Sequence, residues 1–398
     1  MYNFDKKVDW RGTDSVKWNI VKEEVIPLWI ADMDFPVLPE LKEVLVKRAS
    51  LPFYGYRSQL DEKSPYYEAI VSWYKTRHNL ELVPQSIVSG PGTVLSLGMI
   101  VREFTAVDEG VLILAPVYTP FFNVIEENKR KVVEVFLEPD NNGRFIFDIS
   151  KIEEALDKAG TPVRLAMFCS PHNPGGRVWT KEEIAAFLEL ARRRNMVVAV
   201  DEIHCDFVYE KNSAGKEQRF VSAASFKEYA GRVIVVSGAN KSFSLGGIHI
   251  SHLVINDEGL KKTMQTALHR ETHHEGDIIG ELAVETVYRC GKQWFDECRD
   301  YIYKNINEAV QFLNAETPGV KAFIPDGTYL IWADVRKLIE KSGCKDVLEL
   351  VTRLENEAGV KITAGSIYGR AGEGYVRINA ASPRLQLMEG LERIKKWA

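Results

Sequence analysis

Residues 163–201 read VRLAMFCSPHNPGGRVWTKEEIAAFLELARRRNMVVAVD. An apolar run from Val163 to Phe168 precedes a loop rich in proline and glycine. Apolar residues then recur at helical spacing from Lys181 to Asn195, and a second apolar run extends from Met196 to Val200. This pattern predicts two buried strands of one sheet, joined by a loop and a helix.

Similar apolar runs occur on both sides of this stretch. They are Val111 to Leu114, Lys131 to Phe136 and Arg232 to Val236. Strands that alternate with helices form layered folds in which the sheet is mostly parallel. Residues 87–255 therefore predict an α/β fold.

The last third of the chain has a different pattern. Amphipathic helices are predicted within residues 277–313, and short strand-like runs within 328–379. We therefore expect a large domain, residues 48–285, and a smaller α+β domain that residues 1–47 and 286–398 form together.

Composition argues against several classes of protein. The 398 residues have a formal net charge of -5 with mixed signs along the chain, so we expect no nucleic-acid-binding surface. The five cysteines form no CxxC pair, and the segment from Met1 to Trp10 is charged rather than apolar. Disulfides, a signal peptide and a membrane helix are therefore not expected. We expect a cytoplasmic protein.

Two loops after predicted strands are candidates for ligand binding. Ser89 to Thr93, SGPGT, precedes an amphipathic helix, so Gly92 and Thr93 could hold a phosphate at the helix N-terminus. Cys169 to Arg177 lies at the carboxyl end of its strand, where open α/β sheets bind ligands, and two prolines flank Asn173. An ordinary tight turn remains the alternative for each loop.

Asp201 and Lys241 follow two other predicted strands. A buried carboxylate is costly without a partner, and a protonated pyridine nitrogen would supply one to Asp201. A loop cap is the alternative for this residue. Lys241 lies in a loop of small residues, Ser237 to Gly247, from which an amine can reach a cleft and form an imine. A surface lysine is the alternative.

The order of these motifs resembles the aminotransferase class I/II enzymes of fold type I, which use pyridoxal 5′-phosphate (PLP). Within that superfamily, the chain is most similar to the cystathionine β-lyase and C–S lyase branch. The stretches that carry the resemblance are WIADMDF (29–35), FYGY (53–56), PVY (116–118), PHNPGGRVW (171–179) and YVRINAASPR (375–384). The resemblance implies a PLP-dependent transferase fold with a mostly parallel seven-stranded sheet between helices, and a homodimer that shares its active sites.

The resemblance also implies roles for single residues. Lys241 would form the Schiff base with PLP and then remove the substrate Cα proton, while Asp201 would keep the pyridine nitrogen protonated. Tyr118 would stack on the ring, and Asn173 would bind its 3-oxygen. His204 would tune the same oxygen, with a structural role as the alternative.

Phosphate and substrate contacts follow from the same resemblance. The implied phosphate contacts are Gly92, Thr93, Ser237, Asn240 or Ser242, and Tyr56 from the neighbouring subunit. Asn240 stands where relatives usually have a serine. Arg377 would bind the substrate α-carboxylate through a bidentate pair. Asp32 is a further candidate for substrate binding.

A cluster of histidines and acids raises the question of a metal. Its members have helical spacing and are His269, Glu271, His273, His274 and Glu275. No HExxH motif or cysteine partner accompanies them, so we expect no metal site.

Two reactions are compatible with these motifs. Once the Cα proton is removed, loss of a group from Cβ gives β-elimination, whereas reprotonation at the cofactor gives transamination. The branch resemblance favours β-elimination on a sulfur amino acid, giving pyruvate, ammonia and a thiol. A class I/II aminotransferase is the alternative, in which Arg57 or Arg270 could bind a distal carboxylate. A regulatory binding protein that retained the fold is a non-enzymatic alternative, although we expect no DNA-binding domain before Trp10.

Overall fold

The computed structural model describes residues 2–55, 63–211, 215–272 and 277–398. Its helices are α1 Val16–Asn19, α2 Pro39–Ala49, α3 Pro65–His78, α4 Thr93–Phe104, α5 Pro120–Glu126, α6 Ile149–Asp157, α7 Lys181–Arg193, α8 Glu258–Thr272, α9 Ile278–Cys290, α10 Lys292–Glu316, α11 Arg336–Ser342, α12 Val347–Arg353 and α13 Arg384–Trp397. Its strands are β1 Ile26–Pro27, β2 Ile87–Gly90, β3 Gly110–Ala115, β4 Lys131–Phe136, β5 Val163–Cys169, β6 Val197–Asp201, β7 Val233–Ser237, β8 Ser251–Val254, β9 Lys321–Ala322, β10 Leu330–Asp334, β11 Val360–Lys361, β12 Thr363–Ala364 and β13 Tyr375–Asn379.

The larger sheet has seven strands in the order β2-β8-β7-β6-β5-β3-β4. Only β8 runs antiparallel to its neighbours β2 and β7, so the predicted mostly parallel seven-stranded sheet is confirmed. Cys169 of β5 pairs with Asp201 of β6, which pairs with Val236 of β7. The carboxyl ends of these three strands are therefore level, and the loops that follow them meet at one edge.

The quoted strand–helix–strand stretch explains why this sheet forms. Strands β5 and β6 are buried almost throughout, which matches the continuous apolar runs of a parallel sheet covered on both faces. Helix α7 begins with a capping box in which Thr180 and Glu183 satisfy each other's backbone N–H groups. Its apolar face, with Phe187 and Leu188 nearly inaccessible, covers the sheet as its spacing predicts.

A smaller sheet of four antiparallel strands has the order β12-β13-β10-β9. The N-terminal segment joins this part of the molecule, because β1 pairs in parallel with β11. The boundaries predicted at 48 and 285 fall inside helices α2 and α9.

Strand β8 was not predicted from its short sequence SHLV. His252 is fully buried in it, and Tyr74 OH lies 3.0 Å from His252 Nε2, which gives this polar ring a partner inside the core. Among the described residues, no helix has both the length and the apolar character needed to cross a bilayer.

Candidate active site

The loops after β2, β5, β6 and β7 gather at one edge of the large sheet and face β13 of the small sheet. Direct contacts tie this region together: Lys241 reaches the segment after β1, and Arg377 of β13 reaches Asn173 of the loop after β5. Ligand contacts occur at such carboxyl ends in open α/β sheets. The edge is therefore the candidate active site.

Lys241 points its amine into this region. Its Nζ donates a hydrogen bond to the carbonyl oxygen of Ala31 at 2.7 Å, and the same oxygen accepts from Tyr329 OH at 3.0 Å. Burial lowers the pKa of Lys241, an effect that the nearby charges of Asp32 and Asp201 oppose. A lowered pKa raises the fraction of the neutral amine, which is the nucleophilic form of a lysine.

Asp201 lies at the end of β6 with 2% of its surface exposed. Its Oδ1 accepts the backbone N–H of Ile203 at 3.0 Å, and no side chain of the described residues donates to it. Burial raises the pKa of Asp201 to about 6, while the Ile203 hydrogen bond and the charge of Lys241 oppose the rise. The carboxylate is thus available to a cationic group of a ligand.

Arg377 and Asn173 form a buried pair across the site. Arg377 Nη1 donates to Asn173 Oδ1 at 3.0 Å, and Nη2 donates to the carbonyl of Trp29 at 2.9 Å. The guanidinium also lies over the Tyr368 ring, 4.9 Å from its centroid. Arg377 Nε is buried with no hydrogen-bond acceptor, so one donor remains for a ligand.

The segment from Trp29 to Asp34 crosses the site, and hydrogen bonds to its own backbone carbonyls hold it there. Asn379 Nδ2 donates to the carbonyls of Ile30 and Asp32, each at 2.7 Å. Burial raises the pKa of Asp32, and the charges of Lys17 and Lys241 oppose this shift. The Asp32 carboxylate therefore lies within the electrostatic reach of Lys241.

The predicted phosphate loop has the expected local form. Gly92 has φ +109°, a conformation that glycine adopts at little cost, and α4 begins at Thr93. The first N–H groups of a helix lack intrahelical acceptors. Ser89 Oγ, next to this turn, is buried and has no hydrogen-bond partner. The turn thus offers several donors for an anion.

The other predicted phosphate donors are engaged within the chain. Ser237 Oγ donates to the carbonyl of Glu202 at 3.1 Å, and Asn240 Nδ2 donates to the carbonyls of Leu245 and Ile248. Ser242 Oγ donates to the buried carboxylate of Asp206.

Tyr118 and His204 are both buried near charged residues of the site, and their pKa values are shifted in opposite directions. Burial and the charge of Asp201 raise the pKa of Tyr118 to about 12, so the phenol keeps its proton. Burial, with the charges of Lys241 and Arg377, lowers the pKa of His204 well below its usual value, so the imidazole is neutral. Its Nδ1 is buried without a partner.

Several residues of the sequence analysis are not part of this constellation. Arg270 is on α8 and pairs with Glu103, and Glu271 pairs with Arg102. His269 is also on α8. The other candidates lie outside the described residues and are Tyr56, Arg57, His273, His274 and Glu275.

The structure adds Tyr329 and Tyr368 to the candidate site. Tyr329 is almost fully buried, packs edge-on against His204 and shares the Ala31 carbonyl with Lys241. The strand-like run from Thr328 pointed to this part of the chain, but nothing in its sequence indicated which distant loop it would meet.

Comparison with known proteins places this geometry in a family. The sequence profile of aminotransferase class I and II matches residues 24–394. The chain belongs to this family. It is 34% identical to the cystathionine beta-lyase PatB of Bacillus subtilis (strain 168), over 99% of both chains.

Solved structures share the whole fold. Cystalysin from Treponema denticola, whose crystal structure contains a pyridoxal 5′-phosphate cofactor, superposes with a TM-score of 0.90 at 30% identity and covers 100% of this chain and 98% of its own. The PLP-bound C–S lyase from Staphylococcus hominis gives a TM-score of 0.88 at 27% identity over the same shares. The fold is therefore that of the fold-type-I PLP-dependent enzymes.

Proposed function

We propose that this chain is a PLP-dependent C–S lyase that catalyses β-elimination on sulfur amino acids such as cystathionine. The observation that carries the proposal is the placement of Lys241 Nζ within the electrostatic reach of the buried Asp201 carboxylate. An amine and an isolated buried carboxylate in one cleft match the aldehyde and the pyridine nitrogen of PLP. Full-length similarity to lyases that bear this name supports the choice of reaction.

The described residues fit the cofactor. Asp201 would pair with the protonated ring nitrogen, which removes the cost of its burial. Ser89, Gly92 and Thr93 would donate to the phosphate, where the positive end of α4 favours an anion. When bound, PLP supplies an aldehyde that captures the substrate amino group and a ring that withdraws electrons from Cα.

The remaining predicted contacts complete this proposal. Tyr118 would cover one face of the ring, Asn173 would bind the ring's 3-oxygen, and His204 would tune the same oxygen. Ser237 stays a proposed contact at the edge of the phosphate site, although its hydroxyl donates to the Glu202 carbonyl here.

Arg377 would bind the α-carboxylate of the substrate. Its unpartnered Nε and its two terminal nitrogens lie in a buried site, where a charge-assisted pair is strong. Binding there orients the Cα–H bond toward Lys241 Nζ. Asp32, within the electrostatic reach of that amine, would attract the substrate ammonium group.

Proton transfer depends on Lys241. As a neutral amine, Nζ takes the proton from Cα, and burial, which lowers the pKa of Lys241, favours this neutral form. The hydrogen bond to the Ala31 carbonyl holds the amine in place. The thiol then departs from Cβ, and hydrolysis of the unsaturated product by one water gives pyruvate and ammonia.

A class I/II aminotransferase is the second candidate, because the same lysine, aspartate and arginine serve both reactions. The products separate the two. Incubation of the PLP-loaded protein with cystathionine, in the absence of any 2-oxo acid, should release equal amounts of pyruvate and thiol over many turnovers. Amino-group transfer without thiol release would reject the lyase proposal, and Lys241→Ala controls for reaction with free PLP.

We also propose a homodimer, in which Tyr56 reaches the phosphate of the neighbouring subunit. Large apolar side chains on the segment just before it are exposed in the single chain, namely Leu51, Phe53 and Tyr54. Such a patch favours association. The proposed location is the cytoplasm, and the proposed domains are 48–285 and the combined 1–47 and 286–398.

A further inference from the structure

Asp206 lies outside the contacts that the proposed function uses. It follows β6 by five residues and is 3% exposed. Its carboxylate is nevertheless joined to the lysine loop, since Ser242 Oγ donates to Asp206 Oδ2 at 2.5 Å. Ser242 directly follows Lys241, so this hydrogen bond fixes the backbone from which the amine extends.

The other carboxylate oxygen anchors Asp206 to helix α3. Trp73 Nε1 donates to Oδ1 at 3.0 Å, His78 Nε2 lies 2.9 Å from it, and Arg77 Nε lies 3.5 Å away. A second contact joins helix α3 to the lysine loop, because the Trp73 ring packs edge-on against Phe243. Helix α3 thus holds the loop at two adjacent residues.

The charge of Asp206 is stabilised in this setting. Burial by itself would raise its pKa, but the hydrogen bond and charge of His78 and the charge of Arg77 lower the pKa of Asp206 to about 2. Charge-assisted hydrogen bonds from an ionised acceptor are stronger than neutral ones. The Ser242 hydroxyl is therefore held firmly by this carboxylate.

A metal site at this position is disfavoured. Ligand atoms of His78, Cys205 and Asp206 lie within 4.8 Å of one another. Both Asp206 oxygens already accept hydrogen bonds, and a guanidinium lies beside one of them, which disfavours a further cation. Burial, with the charge of Asp206, raises the pKa of Cys205 well above its usual value, so the metal-binding thiolate is also disfavoured.

We propose that Asp206 is a positioning residue that acts through Ser242 to hold Lys241 in the geometry needed for its covalent bond to the cofactor. The inference rests on the proposed use of PLP. In that step the Nζ lone pair attacks the aldehyde carbon, a C=N bond forms, and one water leaves. Orientation of the attacking atom has a large effect on such a reaction.

Two ligands distinguish an effect on the position of Lys241 from an effect on binding of the cofactor's ring and phosphate. PLP can bond to Lys241, whereas 4′-deoxypyridoxine 5′-phosphate has the same ring and phosphate but no aldehyde. Dissociation constants of both are measured with the apoprotein and with Ser242→Ala, Ser242→Cys and Asp206→Asn. Ser86→Ala is the matched control, because Ser86 is a buried serine that donates to the Val83 carbonyl before β2, whereas the phosphate turn follows that strand.

Ser242→Ala and Asp206→Asn should each weaken PLP about tenfold or more, while the affinity for the deoxy analogue changes less than about twofold. Ser242→Cys keeps the size but is a weak donor, so its loss should be intermediate. The variant that combines Ser242→Ala with Asp206→Asn should bind PLP about as weakly as the single variant with the lower affinity, because both changes break the same contact. Ser86→Ala should change neither affinity.

Equal losses for both ligands would overturn the proposal, because they indicate a direct phosphate contact or a general loss of structure. Additive losses in the double variant would also overturn it. If Asp206→Asn does not fold, the Ser242 series alone decides. Failure of the unaltered protein to bond PLP would instead reject the proposed function, which is a distinguishable result.

Discussion

Arg377 Nη1 and Asn173 Oδ1 are hydrogen-bonded at 3.0 Å, although 204 residues separate them in the sequence. The bond joins β13 of the small sheet to the loop after β5 of the large sheet. Asn173 would therefore orient the arginine for the substrate and touch the cofactor ring at the same time. Substrate and cofactor binding should be coupled through this pair.

Replacing Arg377 with lysine should lower kcat/KM for cystathionine about 100-fold, because an ammonium cannot form the bidentate pair or the contacts to Asn173 and Trp29. The measurement is steady-state pyruvate release. Arg370→Lys is the matched control, since Arg370 is exposed on the loop before β13, and its kinetics should be unchanged. Equal effects of the two substitutions would contradict the role of Arg377.

The pH dependence of cofactor binding should report on Asp201. Its pKa is raised to about 6, so the carboxylate of the apoprotein becomes neutral as the pH falls through about 6. Asp201→Asn should therefore weaken PLP strongly at pH 8 and much less at pH 5. Comparing the two proteins at each pH cancels the titration of PLP itself. A constant ratio between pH 5 and pH 8 would show that Asp201 does not pair with the ring.

Although Asp201→Asn should weaken PLP binding, the same substitution should stabilise the apoprotein. A raised carboxyl pKa means that the ionised form is disfavoured in the folded state, so stability is gained as the pH falls through about 6. Asp201→Asn removes this buried charge and should raise the Tm of the apoprotein at pH 8, by about half as much at pH 5, and little below the unfolded pKa of about 4. Scanning calorimetry of both apoproteins tests this. A lower Tm for the variant at pH 8 would contradict it.

Asp206 should show the reverse dependence. Its pKa is lowered to about 2, so its contribution to stability is complete above its unfolded pKa of about 4 and is lost as the pH falls through about 2. Asp206→Asn should cost about 3–5 kcal/mol of unfolding free energy at pH 7, as for a broken buried ion pair. Urea unfolding at pH 7 and pH 3 provides the measurement. A cost that grows toward low pH would contradict the assignment.

Mixed dimers test the proposed sharing of sites. Lys241→Ala and Tyr56→Phe subunits, inactive or impaired alone, should recover about a quarter of the unaltered activity when they are unfolded and refolded together in equal amounts. Each mixed dimer contains one site with both native residues. No recovery, in a mixture that sedimentation shows to contain dimers, would indicate that Tyr56 acts within its own subunit.

The sequence was informative wherever a functional residue follows a buried strand. Asp201 and Lys241 could be found because the apolar runs before them predict the carboxyl edge of a parallel sheet. The family resemblance then supplied Arg377, which lies inside a strand of the small sheet and has no local signal of its own.

Contacts between distant segments could not be read from the sequence. Trp73 and Asp206 are 133 residues apart, and Tyr329 meets Ala31 across 298 residues. Their pairing depends on how helix α3 and strand β10 pack, which local spacing does not specify. Strand β8 was missed for a related reason, since its buried histidine is tolerated only because Tyr74 supplies a partner.

Lys241 Nζ is expected to hold the cofactor through a covalent bond. Reducing the PLP-loaded protein with borohydride and mapping its peptides by mass spectrometry measures this directly. The expected result is one pyridoxyl group per chain on the peptide that contains Lys241, and none in Lys241→Ala. A label on another lysine, or no label on a protein that binds PLP, would contradict the account.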